Sequence, residues 1–191
     1  MSTADERMWG TVVDRPSTGK IALLVVLASE SVFFLTLLTA YVALRGQVTW
    51  DIPRTLERLA IPIGNTIILL GSVMAARRTE QIARSGRRGG LAGMQVLTLA
   101  LGVAFVAGQI YEFTHAGMRI DDQAFGGVFF ALMSFHGLHV LAGMVMLALG
   151  IVRARLTDFT ARDAGAIEIG SLFWYYVATV WLILFCALYL I

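Results

Sequence analysis

Charge is scarce in this chain. Of its 191 residues, 15% are Asp, Glu, Lys or Arg and 58% are hydrophobic, whereas a soluble domain carries about 25% charged residues. The polar surface that a soluble fold of this size needs is missing. Cysteine is nearly absent: Cys186 stands alone, deep in the last apolar run, so no internal disulfide is possible. Strict alternation of apolar and polar residues is also absent, which excludes the strands of a membrane barrel. There is no internal repeat, low-complexity tract or separate polar domain. Residues 1–19 carry Asp5, Glu6 and Asp14 and lack an apolar core or small-residue cleavage site. They read as a short polar tail, not a secretory signal.

What is present is length of apolar sequence. Five runs stand out: Ile21 to Leu44, Leu59 to Ala76, Leu91 to Phe113, Phe125 to Val152 and Ala164 to Ile191. Roughly 20 residues of helix cross a bilayer. The pattern predicts an all-α polytopic membrane bundle of five transmembrane helices, with the tail at 1–19 and the helical domain at 20–191. Charge then orients it. Arg7, Arg15, Lys20, Arg77, Arg78, Arg84, Arg87, Arg88, Arg153, Arg155 and Arg162 fall on one side, and Arg45, Arg54, Arg58 and Arg119 on the other. The positive-inside rule puts the N-terminus and its tail in the cytoplasm and the C-terminus outside. The net charge of +2 reports topology. The arginines hug helix ends, so no nucleic acid is expected as a partner.

Polar groups inside these runs point toward function, because a polar side chain in hydrocarbon needs a partner, a cavity or a task. His136 and His139 sit mid-run in Phe135-His136-Gly137-Leu138-His139-Val140 and, three apart, share a helix face. Two histidines could start a metal or haem site, but a closed metal site wants three or four protein ligands. The only other histidine, His115, reads as a loop residue. The pair therefore reads as interhelical hydrogen-bonding groups. Glu30 lies roughly 15 Å into the first helix by the rise per residue. A carboxylate there is neutral or held by a donor, since desolvation disfavours its charge. Gln109 and Glu112, also three apart, close the third run, and Glu168 begins the fifth. Trp174, Tyr175, Tyr176 and Trp181 lie within the last helix, away from the interfacial belts, and should pack on neighbouring helices. Gly64 and Gly71, and Gly143 and Gly150, are each seven apart, a spacing that suits close helix packing, as does Gly137 between the histidines.

Taken in order, these segments resemble subunit III of the haem-copper oxidases, the cytochrome c and quinol oxidase family. The resemblance rests on Ser29-Glu30 with Phe33-Phe34, Gln109-Ile110-Tyr111-Glu112, Gly127-Val128-Phe129-Phe130, the Phe-His-Gly-Leu-His element with Gly143, and Trp174 with Val180-Trp181. It covers about Ile21 to Ile191 in the short, five-helix form. It implies a non-catalytic subunit of an aerobic respiratory terminal oxidase, seated in the bacterial inner (plasma) membrane. Such a subunit packs on subunit I in a complex with subunit II, stabilises subunit I, supports proton uptake and binds lipids. It has no catalytic, cofactor-binding or metal residues of its own; haem and copper belong to the partner subunits. A buried polar network of Glu30, Gln109, Glu112, His136, His139 and Tyr175 is then expected to tie the helices together.

Two departures stand out. Where the family's last helix usually reads Trp-His-Phe-x-Asp, this chain has Trp174, Tyr175, Tyr176 and Ala178. The histidine has become Tyr175 and the aspartate Ala178. Two other readings remain open: the related accessory protein of nitric oxide reductase systems, and a stand-alone metal-dependent membrane enzyme built on His136, His139 and Glu112. Metal analysis of the purified chain separates that last reading from the first.

Overall fold

The computed structural model describes residues 17–45, 56–85, 89–115, 123–156 and 161–190. Five helices account for nearly all of them: α1 (Thr18–Arg45), α2 (Leu56–Arg84), α3 (Leu91–His115), α4 (Gln123–Leu156) and α5 (Ala161–Phe185). A wider π-wound segment, Cys186–Leu190, continues α5. All five helices are long and apolar enough to cross a membrane. Helix is what lipid demands, since each backbone N–H must find its acceptor within its own segment. Most of the tail, the Arg87-Arg88 turn, Arg54 and Arg119 lie outside the described residues.

Several boundaries differ from the sequence expectation. α2 does not stop near Ala76 but runs two more turns, so Arg77, Arg78 and Arg84 sit on a helix instead of in a loop. The reason is visible in the packing. Ala75, Ala76, Thr79 and Ala83 recur at helical spacing and are all buried, and Arg84 grips Glu80 one turn earlier at 2.7 Å. His115 is likewise no loop residue: it ends α3, with its ring stacked on Tyr111 at 4.1 Å. α4 runs on to Leu156, which places Arg153 and Arg155 in its last turns, and α5 already includes Arg162. Between α2 and α3 the chain reverses through Gly90, whose φ of 84° lies in the left-handed region that glycine enters without steric cost.

α5 is the centre of the bundle. It packs on α2 and α4, α3 closes the circle between those two, and α1 rests outside against α4 and α5. Of each helix's most apolar stretch, 56% is buried in α5 and only 11% in α1. Two fully buried tryptophans anchor α5 to α2. Trp174 Nε1 donates to Ser72 Oγ at 3.0 Å, and Trp181 Nε1 donates to Thr66 Oγ1 at 3.0 Å. The indole of Trp174 fits because two helices carry no side chain where it lies. A Cβ at Gly102 on α3, or at Gly143 on α4, would sit 2.9 Å from its ring carbons.

The other glycines divide. Gly150 faces Gln95, whose Nε2 would lie 2.6 Å from an added Cβ. Gly64 and Gly137 meet nothing within 4 Å, and Gly71 only Leu101 at an ordinary 3.8 Å. Within this chain, side chains of other helices press on the positions of Gly143 and Gly150, and leave those of Gly64, Gly71 and Gly137 uncrowded.

Gly143→Ala should therefore cost about 1–3 kcal/mol, the usual range for overpacking a tight core. Thermal denaturation in detergent should show a clearly lowered midpoint for Gly143→Ala and none for Gly137→Ala. Equal midpoints would mean that the Trp174 slot is looser than its geometry.

Candidate functional site

Polar side chains inside the bundle gather at three depths. The first lies on the side where α1 begins. Lys20 Nζ meets Glu168 Oε1 at 2.6 Å, and Arg84 Nη2 meets the same oxygen at 3.0 Å. Arg84 also reaches Glu80 Oε1 at 2.7 Å, and Tyr175 donates its hydroxyl to Glu80 Oε2 at 3.0 Å. Charges of alternating sign thus link α1, α5 and α2 in a chain that ends on a tyrosine. Arg84 is largely exposed, so each ion pair alone is worth little, about 0–1 kcal/mol; the Tyr175–Glu80 bond is the more sheltered link.

The second depth holds Glu30 and His139. His139 Nε2 lies 3.5 Å from Glu30 Oε2, across the contact of α4 with α1. Its Nδ1 lies 2.8 Å from the Phe135 carbonyl oxygen, one turn back. A neutral imidazole has one donor and one acceptor nitrogen. With Nδ1–H donating to that carbonyl, Nε2 is the acceptor nitrogen and faces the Glu30 carboxyl. The pair is walled by aromatic rings: Phe34 at 5.1 Å, Phe135 at 4.9 Å and Phe173 at 6.2 Å from the His139 ring.

The third depth starts at His136, only 1% exposed. Its ring stacks on Trp181 at 5.5 Å and meets the edge of Phe105 at 6.4 Å. Neither ring nitrogen has a hydrogen-bond partner. Further toward the end of α3, Glu112 accepts a hydrogen bond from Tyr189 of the π-wound segment. Gln109 Nε2, Glu112 Oε2 and Asn65 Nδ2 are buried and unpartnered. Tyr41 takes a bond from Arg45 Nη1 at 2.7 Å.

The six residues expected to form one network are not joined to one another by direct bonds as a set. Glu30 and His139 meet each other. Glu112 turns to Tyr189, Tyr175 to Glu80, and Gln109 Nε2 and His136 stay without a bond in the chain. Three residues along a helix fall short of a full turn by about 60°. That is enough for His139 to face α1 while His136 turns between α3 and α5. Sequence reasoning missed Glu80, Lys20, Asn65 and Tyr189. Glu80 was hidden among arginines that read as a loop. Asn65, beside Gly64 in an apolar run, was the signal available. Among the described residues, no three His, Cys, Asp or Glu side chains come together as a ligand set.

A family model described as "Cytochrome c oxidase subunit III" matches residues 13–191. The chain is 33% identical over 187 residues to a probable cytochrome c oxidase subunit 3 of Nocardia farcinica, covering 94% of this chain and 91% of that protein. It is 32% identical over 179 residues to cytochrome c oxidase subunit 3 of Synechocystis, covering 92% and 77%. It is 31% identical over 181 residues to the subunit 3 of Thermostichus vulcanus, covering 93% and 90%.

Coupling between Tyr175 and Glu80 is directly measurable. A double-mutant cycle of Tyr175→Phe with Glu80→Gln, read by thermal denaturation, should give a coupling of roughly 0.6–2 kcal/mol, the range for interhelical hydrogen bonds in membranes. Additive single effects would show that the two side chains do not depend on each other.

Proposed function

The chain belongs to the cytochrome c oxidase subunit III family, in its five-helix form, and from that premise we propose that it is a non-catalytic subunit of an aerobic respiratory terminal oxidase. The observation that carries this reading is the reach of the family match, residues 13–191, which takes in all five helices. The relatives named above bear the name of the oxidase subunit, which supports this reading over the nitric oxide reductase accessory. In the proposal, its partners are subunits I and II and membrane lipids, and the partner subunits carry haem and copper. The N-terminus faces the cytoplasm of a bacterial plasma membrane.

The side-chain chemistry supports a scaffold role. Its membrane-embedded polar groups are largely committed to joining helices: Glu30 to His139, Glu112 to Tyr189, Trp174 to Ser72, Trp181 to Thr66. Each joins two helices and brings no third ligand with it. Large apolar side chains are exposed on all five helices; the faces the proposal takes up are those of α1, through Val25, Val32 and Leu35, and of α2, through Ile63, Ile67 and Met74. Gly64 and Gly71 lie on α2 with room beside them. These are the faces assigned to subunit I, and stabilising that subunit is the task the proposal gives them.

Substitution at the glycines tests the docking. Gly64→Leu with Gly71→Leu should leave the chain folded, because the space beside them is open within it, yet release it from the complex on co-purification. Retention of the complex in detergent would remove those glycines from the interface. The glutamate tests the scaffold role. Glu30→Gln keeps shape and hydrogen bonding but cannot ionise. The complex should assemble and turn over at a near-normal initial rate, and His139→Ala should lower thermal stability while leaving the haem spectrum unchanged. A large loss of initial rate in an assembled Glu30→Gln complex would assign Glu30 to proton handling instead.

A further inference from the structure

The spanning part of the bundle contains polar atoms that the chain itself leaves unsatisfied. Asn65 Nδ2 on α2, Gln109 Nε2 and Glu112 Oε2 on α3, and both ring nitrogens of His136 on α4 are buried with no hydrogen-bond partner. Buried side-chain polar atoms are nearly always paired, with protein or with ordered water. Gln95 Oε1 on α3 and Ser171 Oγ on α5 are also unpartnered, nearer the starts of their helices; the four side chains named above lie further along the bundle and together ask for a ligand.

These residues form a column. Phe105, Gln109 and Glu112 share a face of α3, and the helical rise separates the first two by about 6 Å and the last two by about 4.5 Å. His136 touches Phe105 and Trp181 at the bottom of the column. Trp181 bonds Thr66, the neighbour of Asn65. Asn65 itself crosses to α3 over Gly108, where an added Cβ would lie 2.1 Å from its Oδ1. At the top, Tyr189 holds Glu112 by its other oxygen.

The donor and acceptor pattern selects the ligand. The two amide nitrogens can only donate. Glu112 Oε2, when ionised, can only accept, and a neutral imidazole does one of each. A metal cation would face two N–H donors, and an anion would face a carboxylate. A small molecule that both donates and accepts satisfies all four side chains. We propose that Asn65, Gln109, Glu112 and His136 line an internal hydration site, a short file of ordered water enclosed by α2, α3, α4 and α5. Its water accepts from the Asn65 and Gln109 amides, donates to the free Glu112 oxygen, and pairs with His136. The inference concerns this chain's own interior and does not depend on which oxidase it joins.

Radiolytic hydroxyl labelling in 18O-water reads this directly, on the full chain in the complex with which it co-purifies. Radicals formed from bound water label the side chains beside it and spare dry ones. Trp174 is the reference, because it is equally buried but partnered by Ser72. His136 should take up 18O several-fold faster than Trp174, and Gln109→Leu should bring that rate down to the reference. A wild-type His136 rate no higher than that of Trp174 overturns the proposal. A high-resolution density map of the wild-type complex provides a reading that needs no variant. Water within hydrogen-bond distance of Gln109 Nε2 and Glu112 Oε2 is expected. Its absence, or direct pairing of these atoms with a side chain of this chain or of a neighbouring subunit, overturns the proposal.

Discussion

The bundle is organised around the indole of Trp174. It is wholly buried, it bonds Ser72 on α2, and it occupies space that Gly102 and Gly143 leave open on α3 and α4. One side chain thereby brings four helices into register. In lipid this matters more than it would in water. Apolar side chains gain nothing by leaving lipid for protein, so helix association rests on close packing and on hydrogen bonds. A large ring in a slot built by two glycines supplies the packing, and its N–H supplies the bond. Trp181, two turns on, repeats the bond with Thr66.

α1 is held differently. It lies outside this packed set, with little of its surface buried; Leu27, Phe34 and Tyr41 reach the core, and discrete polar and aromatic contacts supplement them. Lys20 meets Glu168 near its start, Ser31 bonds Tyr176 at 3.3 Å, Glu30 meets His139, and Phe33 and Phe34 lie against Phe135. A helix fixed by a few discrete contacts keeps most of its apolar face for another surface. That division, a tight set of four helices and a lightly attached fifth, is what the proposed scaffold role needs.

Tyr175 shows how a change of one residue is absorbed. In the resemblance it takes the place of a histidine, and Ala178 that of an aspartate. Ala178 is buried in the apolar core, so nothing polar there seeks a partner. Tyr175 instead reaches Glu80, which Arg84 holds from the other side. A hydroxyl that donates one bond to a carboxylate already paired with arginine adds no unpaired charge to the interior.

Much of the architecture was legible in the residues alone. Five apolar runs of spanning length determined five helices, because backbone polar groups have no other solution in lipid. Motifs such as Ser29-Glu30 and Phe135-His136-Gly137-Leu138-His139 pointed to the family that the comparisons show. The end of α2 was not legible, because Arg77, Arg78 and Arg84 look like loop charges until Thr79 and Ala83 are seen buried. Nor were the partners of the polar groups. Spacing along a helix says which residues share a face, but not which neighbour that face meets. The rotation of α4 about its axis sends His139 to Glu30 and His136 to Trp181. Only the packing of the helices sets that rotation, and in this chain it is set by where Trp174 and its two glycines interlock.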